Sequence, residues 1–352
     1  MADGYAKGTA MTLSGRWTRA LAAMATALLL PVAARAQAPA AAPDTLRVIF
    51  CGTSGPLPIA GRAKACTAVQ AGGKLYLVDV GPESTKNFLT WRQPLATARA
   101  VFITHLHSDH IGDLGEFNMQ SWVSGRTQPL MVVGPSGVDK LAAGFNLAYE
   151  NDHGFRKAHH EHGGFAFPLP AGLLQAKVVT IKAPDGTALA WKDGDLTVTA
   201  IRVAHDPISP AFGYRFDYHG RSVVVSGDTR KWPPLAVAAK GADVLIHEAQ
   251  SNAIMLQLSA ALKGMGNARQ SSMMADTVTY HTEPVEAADL ARAAGVRVLV
   301  LSHLTQAGLP MFTPESFTKG MDAGGKLDWR LATDGMTIDL PAGGTEIRFG
   351  KF

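Results

Sequence analysis

The stretch Thr104-His105-Leu106-His107-Ser108-Asp109-His110 decides how this chain is read. Three imidazoles and one carboxylate fall within six residues, directly after the apolar run Ala100-Val101-Phe102-Ile103. Neutral imidazole and carboxylate are ligands that zinc prefers, and a reactive zinc site keeps one position open for water. In extended backbone His105 and His107 point the same way, because side chains alternate with a period of two. Asp109 and His110 then fall where the chain turns at Ile111-Gly112, so they address a second point in space. The spacing predicts two neighbouring metals at the end of a buried strand, rather than a histidine-rich surface loop.

Outward from that cluster, the chain has 352 residues, 47% hydrophobic and 18% charged. That balance is ordinary for a globular protein, and the length allows a large core formed by burial alone. Residues 1–36 read as a secretory signal peptide. Arg16 and Arg19 precede an uncharged run from 20 to 34, and Ala34-Arg35-Ala36 supplies a small-residue cleavage site. The run is short for a bilayer span and contains Pro31, so no stable membrane anchor is expected and the protein is expected to be periplasmic or secreted. Residues 37–44 read as a flexible leader rich in Ala and Pro. No linker divides residues 45–352, and the ligand-type residues are spread along them, so they read as one domain.

Cleavage after Ala36 removes four cations and one acid, which takes the formal charge from +4 to +1. A chain so near neutrality lacks the general basic footprint of a nucleic-acid binder, so no nucleic-acid partner is expected. Cys51 and Cys66 are the only cysteines. An even pair bridges in an oxidising compartment, or remains as two buried thiols, and both readings stay open here.

Short β-branched runs at 45–50, 74–79, 100–104, 130–133, 177–181, 196–203, 214–218, 222–226, 244–247 and 298–302 read as strands. Thr282-Glu283-Pro284 opens a helix that closes at Gly295, with proline inside the start and glycine past the end. Thr313-Pro314-Glu315 opens another in the same way, and 112–124 and 137–150 read as helical. His219 sits in a hairpin turn, Tyr218-His219-Gly220-Arg221, and reads as a surface residue. The Met-rich run 254–265 has helical spacing and reads as packing, a pocket wall or the contact of a homodimer.

Four ligand-type residues cannot saturate two metals, so others should sit at later strand ends. Asp228 follows a strand in Ser226-Gly227-Asp228-Thr229, where glycine permits a tight turn. His205 and His303 end the apolar runs Val203-Ala204 and Leu301-Ser302. Rigid strand ends are how a sheet holds a site in place.

With these residues assembled, the chain resembles the metallo-β-lactamase superfamily, whose signature is matched by His105, His107, Asp109 and His110. It is most similar to the branch holding ribonuclease Z and the zinc-dependent arylsulfatases and phosphodiesterases. That narrower match rests on Phe50-Cys51-Gly52-Thr53-Ser54-Gly55-Pro56, on His205 with Phe212-Gly213-Tyr214-Arg215, and on Ser226-Gly227-Asp228-Thr229. Leu245-Ile246-His247-Glu248-Ala249 and the pair His281 and His303 complete it. The resemblance implies an α/β (α+β) fold, a four-layer αββα sandwich, over about residues 45 to 340. It implies two Zn²⁺, one held by His105, His107 and His205 and the other by Asp109, His110 and His303, with Asp228 and a hydroxide bridging. His281 would act with Asp109 as a catalytic group, giving a proton to the leaving oxygen or steadying the oxyanion, while His247 and Glu248 orient the ligands.

Ribonuclease Z grips transfer RNA with a basic arm, and no Gly- and Lys-rich segment of that kind is present. In its place lies 152–162, which resembles the lid of small-ester hydrolases and offers Arg156 and His160 as contacts to an anionic substrate. The expected activity is therefore that of an exported dinuclear zinc hydrolase of small phosphate diesters or triesters, or of aryl sulfate esters. The alternatives are hydrolysis of a lactone or β-lactam, transfer-RNA 3′ processing, and zinc binding without turnover.

Overall fold

The computed structural model describes residues 44–163 and 166–352. The segment read as an export signal, and all of the leader except Asp44, lie outside the described residues.

Strand β1 (Thr45–Gly52) shows why the chain folds in layers. Leu46, Val48 and Phe50 face one apolar cluster, while Ile49 and Cys51 face another. This is the period of two for a strand buried on both faces. Strands β2 (Cys66–Ala71) and β3 (Lys74–Val78) continue it antiparallel. Strands β4 (Ala98–Phe102), β5 (Leu130–Gly134) and β6 (Leu174–Val178) then add in parallel.

The second sheet holds β7 (Thr187–Asp193), β8 (Leu196–His205), β9 (Ile208–Tyr218), β10 (Arg221–Val225), β11 (Val244–Glu248), β12 (Val298–Ser302) and β13 (Trp329–Leu331). Its order is β13-β12-β11-β10-β9-β8-β7, with β10 through β13 parallel. Strands β14 (Met336–Pro341) and β15 (Arg348–Lys351) return to the first sheet, giving β15-β14-β1-β2-β3-β4-β5-β6.

Between the sheets, Val69, Tyr76 and Phe102 pack with Tyr214, Phe216 and Val300. Outside the first sheet, Phe88, Phe117 and Val138 come from helices Ser84–Thr90, Leu114–Val123 and Val138–Ala148. Outside the second, Leu235 and Leu290 come from helices Pro233–Ala238 and Pro284–Ala294. The architecture is the expected four-layer αββα sandwich. Helix Pro284–Ala294 begins and ends as its sequence requires, with a Glu283–Glu286 capping box and Gly295 at φ 64°. His219 (φ 47°) and Gly220 (φ 76°) form a two-residue hairpin turn, and His219 is exposed as expected.

Several boundaries differ from the sequence reading. The helix expected over 137–150 stops at Ala148, and a second, Glu150–His160, fills the segment read as a lid loop. Ion pairs one turn apart, Asp152 with Arg156 and Lys157 with Glu161, support that polar helix. Strand β6 lies earlier than 177–181 because its register is set by pairing with β5. Cys51 and Cys66 are bridged across β1 and β2 with Cα atoms 5.0 Å apart, which closes the question left open above. Among the described residues no helix is long and apolar enough to cross a membrane.

Arg221, only 3% exposed, is the buried cation of the second sheet. Asp243 accepts from its Nε at 3.0 Å and Nη2 at 2.9 Å, from the Ser222 N–H at 3.0 Å and from Arg297 at 2.8 Å. Burial alone would raise the Asp243 carboxyl, but these bonds outweigh it and hold it below the usual range. A carboxyl depressed by folding stabilises above its unfolded pKa of about 3.9, and that contribution is lost as pH falls through the folded value. Asp243→Ala strands Arg221 and should cost about 3–5 kcal/mol at pH 7 in urea unfolding. The gap from wild type should narrow below about pH 4; a full-sized gap at pH 3 would contradict the assignment.

Candidate metal centre

Strand ends at one edge of the sandwich supply this site. Past β4, His105 is buried and His107 exposed, and the short helix Ser108–Ile111 brings Asp109 and His110 back beside them. His205 ends β8, Asp228 follows β10, and His303 follows β12 in the left-handed region at φ 54°. Gly227 (φ 63°) makes the turn before Asp228, and a Cβ there would meet the Phe212 carbonyl at 2.4 Å.

All seven expected ligand residues converge. Ligand atoms of His105, His107 and His205 lie within 4.8 Å of one another, and so do those of Asp109, His110 and His303. Asp228 groups at the same distance with His105 and His110, and again with His281 and His303. Its Oδ2 is 3.4 Å from Nε2 of both His110 and His303, while Asp109 Oδ2 is 3.3 Å from His303 Nε2.

The chemistry of this donor set fits a divalent metal. Nε2 of His110 and Nε2 of His205 are buried and form no hydrogen bond among the described residues. Buried polar atoms are rarely left in that state, and a cation among them would take up the lone pairs. Burial, with the field of His110, holds His105 well below its usual range, and burial lowers His205 too. Neutral rings are the ligating form. His110 differs, because Asp228 and Asp79 overcome burial and hold it well above its usual range, so it would give up that proton on ligating. Burial pushes Asp109 up, but the His303 hydrogen bond and the charge of His110 outweigh it and bring the carboxyl to about 2. Asp228 is likewise held well below its range, burial being overcome by His303 and His110.

Asp79 was not picked out from sequence. It follows β3 with φ 58°, accepts from the Thr104 N–H and hydroxyl at 2.8 Å each, and places Oδ2 2.7 Å from His110 Nδ1. That contact directs His110 Nε2 toward Asp228, as a carboxylate behind a ligating histidine does. Its only sequence signal was an acid closing the apolar run Leu75-Tyr76-Leu77-Val78.

On the other side of the site, His281 Nδ1 lies 2.9 Å from Glu248 Oε1, which also accepts the N–H groups of Thr229 and Thr282. Burial lowers His281, but the charge of Glu248 and its hydrogen bond raise it to about 9. His247 is buried at the end of β11, with Nδ1 2.7 Å from the Glu248 carbonyl. The neighbouring Tyr280 accepts from His205 Nδ1 at its carbonyl, 3.2 Å away. Arg156 and His160 do not join this assembly: Arg156 is tied to Asp152 and the His160 ring packs 5.7 Å from that of Phe167.

The fold and the site define a metallohydrolase, and similarity to known proteins agrees. Residues 75–304 match the family described as the beta-lactamase superfamily domain. The chain is 33% identical over 268 residues to a protein named Ribonuclease Z from Mycolicibacterium paratuberculosis, covering 74% of this chain and 87% of that one. Its fold is similar to that of the metallo-beta-lactamase fold protein YhfI from Bacillus subtilis (TM-score 0.58, 20% identity, 84% of this chain and 100% of the other). It is also similar to the short form of human tRNase Z (TM-score 0.56, 20% identity, 84% and 99%). The chain belongs to the metallo-β-lactamase superfamily, in its ribonuclease Z-like branch, and is a metal-dependent hydrolase.

Two expectations fall with this finding. The exported hydrolase of small phosphate or sulfate esters, and the absence of a nucleic-acid partner, rested on near-neutral charge, the N-terminal segment and the missing arm. A relative aligned over 87% of its length is instead named as a ribonuclease. Net charge is an average over the surface, whereas a polyanion responds to the local field of one cleft. An export signal, where a chain has one, bears on its address and not on the bond that is cut.

Asp79→Asn should weaken zinc binding about 10- to 100-fold while leaving the unfolding transition cooperative. Competition with a chromophoric chelator measures this, and an unchanged affinity would remove Asp79 from the centre.

Proposed function

We propose that this chain is a dinuclear zinc ribonuclease that hydrolyses a phosphodiester bond of RNA, with a transfer-RNA precursor as its substrate class. The observation that carries the reading is the convergence of seven ligand residues beside a His281–Glu248 pair, in a chain one-third identical to a named ribonuclease Z. His105, His107 and His205 would hold one ion, Asp109, His110 and His303 the other, and Asp228 stands between the two groups. Bound zinc supplies Lewis acidity and brings the pKa of a water down to about 7.

The chain's own residues do the rest. As water oxygen adds to phosphorus and the bond to the leaving oxygen breaks, that oxygen needs a proton. His281, its Nδ1 held 2.9 Å from Glu248 Oε1, is the group placed to give it. Glu248 is in turn fixed by the Thr229 and Thr282 amides, so the imidazole is held before substrate arrives.

Localisation is a separate proposal. Residues 1–36 and the Cys51–Cys66 bridge both support export to an oxidising compartment. An exported enzyme would meet such a precursor only after its release from the cytoplasm, so cell fractionation decides where the two come together.

Zinc-loaded protein should cleave a 3′-extended transfer-RNA precursor in preference to nitrophenyl phosphate and sulfate esters. Turnover of the esters without cleavage of RNA would overturn the reading. Purified protein should carry close to two zinc ions per chain by metal analysis. His281→Ala should slow cleavage roughly 10²- to 10⁴-fold with zinc content intact; lost zinc would make His281 a ligand instead.

A further inference from the structure

We propose that Tyr280 is a catalytic residue of this centre, its phenol O–H donating a hydrogen bond to a non-bridging oxygen of the phosphodiester. This rests on the ribonuclease reading above and adds a group that neither the motif spacing nor the ligand set required.

Tyr280 is anchored to the centre by its main chain, through the bond from His205 Nδ1 to its carbonyl. Its ring centroid lies 5.2 Å from that of His205 and 4.8 Å from that of His281. The His281 ring in turn lies 5.5 Å from His205 and 5.9 Å from His303. Tyr280 therefore stands on an arc of rings that joins one ligand group to the other. It is half-buried, and no hydrogen bond among the described residues uses its hydroxyl. A phenol that is half open, beside the reacting centre and without a protein partner is placed to meet a ligand.

The chemistry leaves a role for such a donor. Attack on a phosphodiester concentrates negative charge on the non-bridging oxygens, and fixed donors aimed at that charge are among the strongest catalytic devices. The nearby groups are already engaged. The His105, His107, His205, His110 and His303 rings are turned to the ligand groups, and His281 is directed by Glu248. The cations on neighbouring segments have protein partners: the Lys64 amine bonds the Leu57 carbonyl, while Arg230 pairs with Asp206 and lies over the Trp232 ring. Among the described residues Tyr280 is a neutral donor of this kind, its ring set directly against His205 and His281. Donation of a hydrogen bond moves no proton and needs no further reactant.

The decisive variant is Tyr280→Phe, which keeps the ring against His205 and removes only the hydroxyl. With zinc-loaded enzyme, kcat on the RNA substrate should fall about 10²-fold with KM and zinc content unchanged. In parallel, calorimetric titration with inorganic phosphate should show binding weakened roughly tenfold or more relative to wild type. That second measurement does not depend on RNA cleavage, so it judges Tyr280 even if the substrate assignment fails. Wild-type kcat and phosphate affinity in Tyr280→Phe would overturn the proposal. So would a loss seen only in Tyr280→Ala, which would assign the ring to packing on His205, and so would the absence of phosphate binding by wild type.

Discussion

Two buried carboxylates and five imidazoles cannot share a few ångströms of space unless the backbone holds them there. Asp109 and Asp228 are 8% and 3% exposed, and each raises the cost of ionising the other. The constraint is met from both sheets. Parallel strands β3 and β4 place Asp79 and the Thr104 amide side by side, and the resulting bonds fix His110. Parallel strands β10, β11 and β12 do the same for Asp228, Glu248 and His303. Strand ends move little, so the repulsion is met by rigid geometry rather than by long, adaptable side chains.

The two halves of the site are asymmetric in consequence. On the Asp79 side a carboxylate touches a ligand ring, which sets the direction of its free nitrogen. On the Glu248 side the carboxylate touches His281 and two backbone amides instead. On the reading proposed above, the first arrangement would prepare a ring to ligate and the second one to carry a proton. Both use an acid at the end of a parallel strand, so one local device yields two chemical roles.

Much of this was legible in the residues themselves. The cluster from His105 to His110 declared itself through density, and His205, Asp228 and His303 through their position after apolar runs. Asp79 stayed hidden because its role depends on β3 lying parallel to β4, a long-range pairing that no local pattern records. The helix Glu150–His160 stayed hidden for a different reason: it has a single buried residue, His153, so apolar periodicity was almost absent. The substrate class was misjudged because whole-chain charge was used to answer a question about one cleft. Composition reports on average solvation and not on what a pocket grips.

Gly55 gives the architecture a less visible property. A Cβ at that position would come within 2.7 Å of the His303 ring and 2.4 Å of the Thr305 hydroxyl. The loop between the bridged cysteines is thus pressed directly against a candidate ligand near the far end of the chain. Room for substitution in that loop is therefore left at its outward residues, such as the exposed Pro56 and Pro58. New specificities should arise there and along the outer helices, while the inner turn stays frozen by simple lack of room.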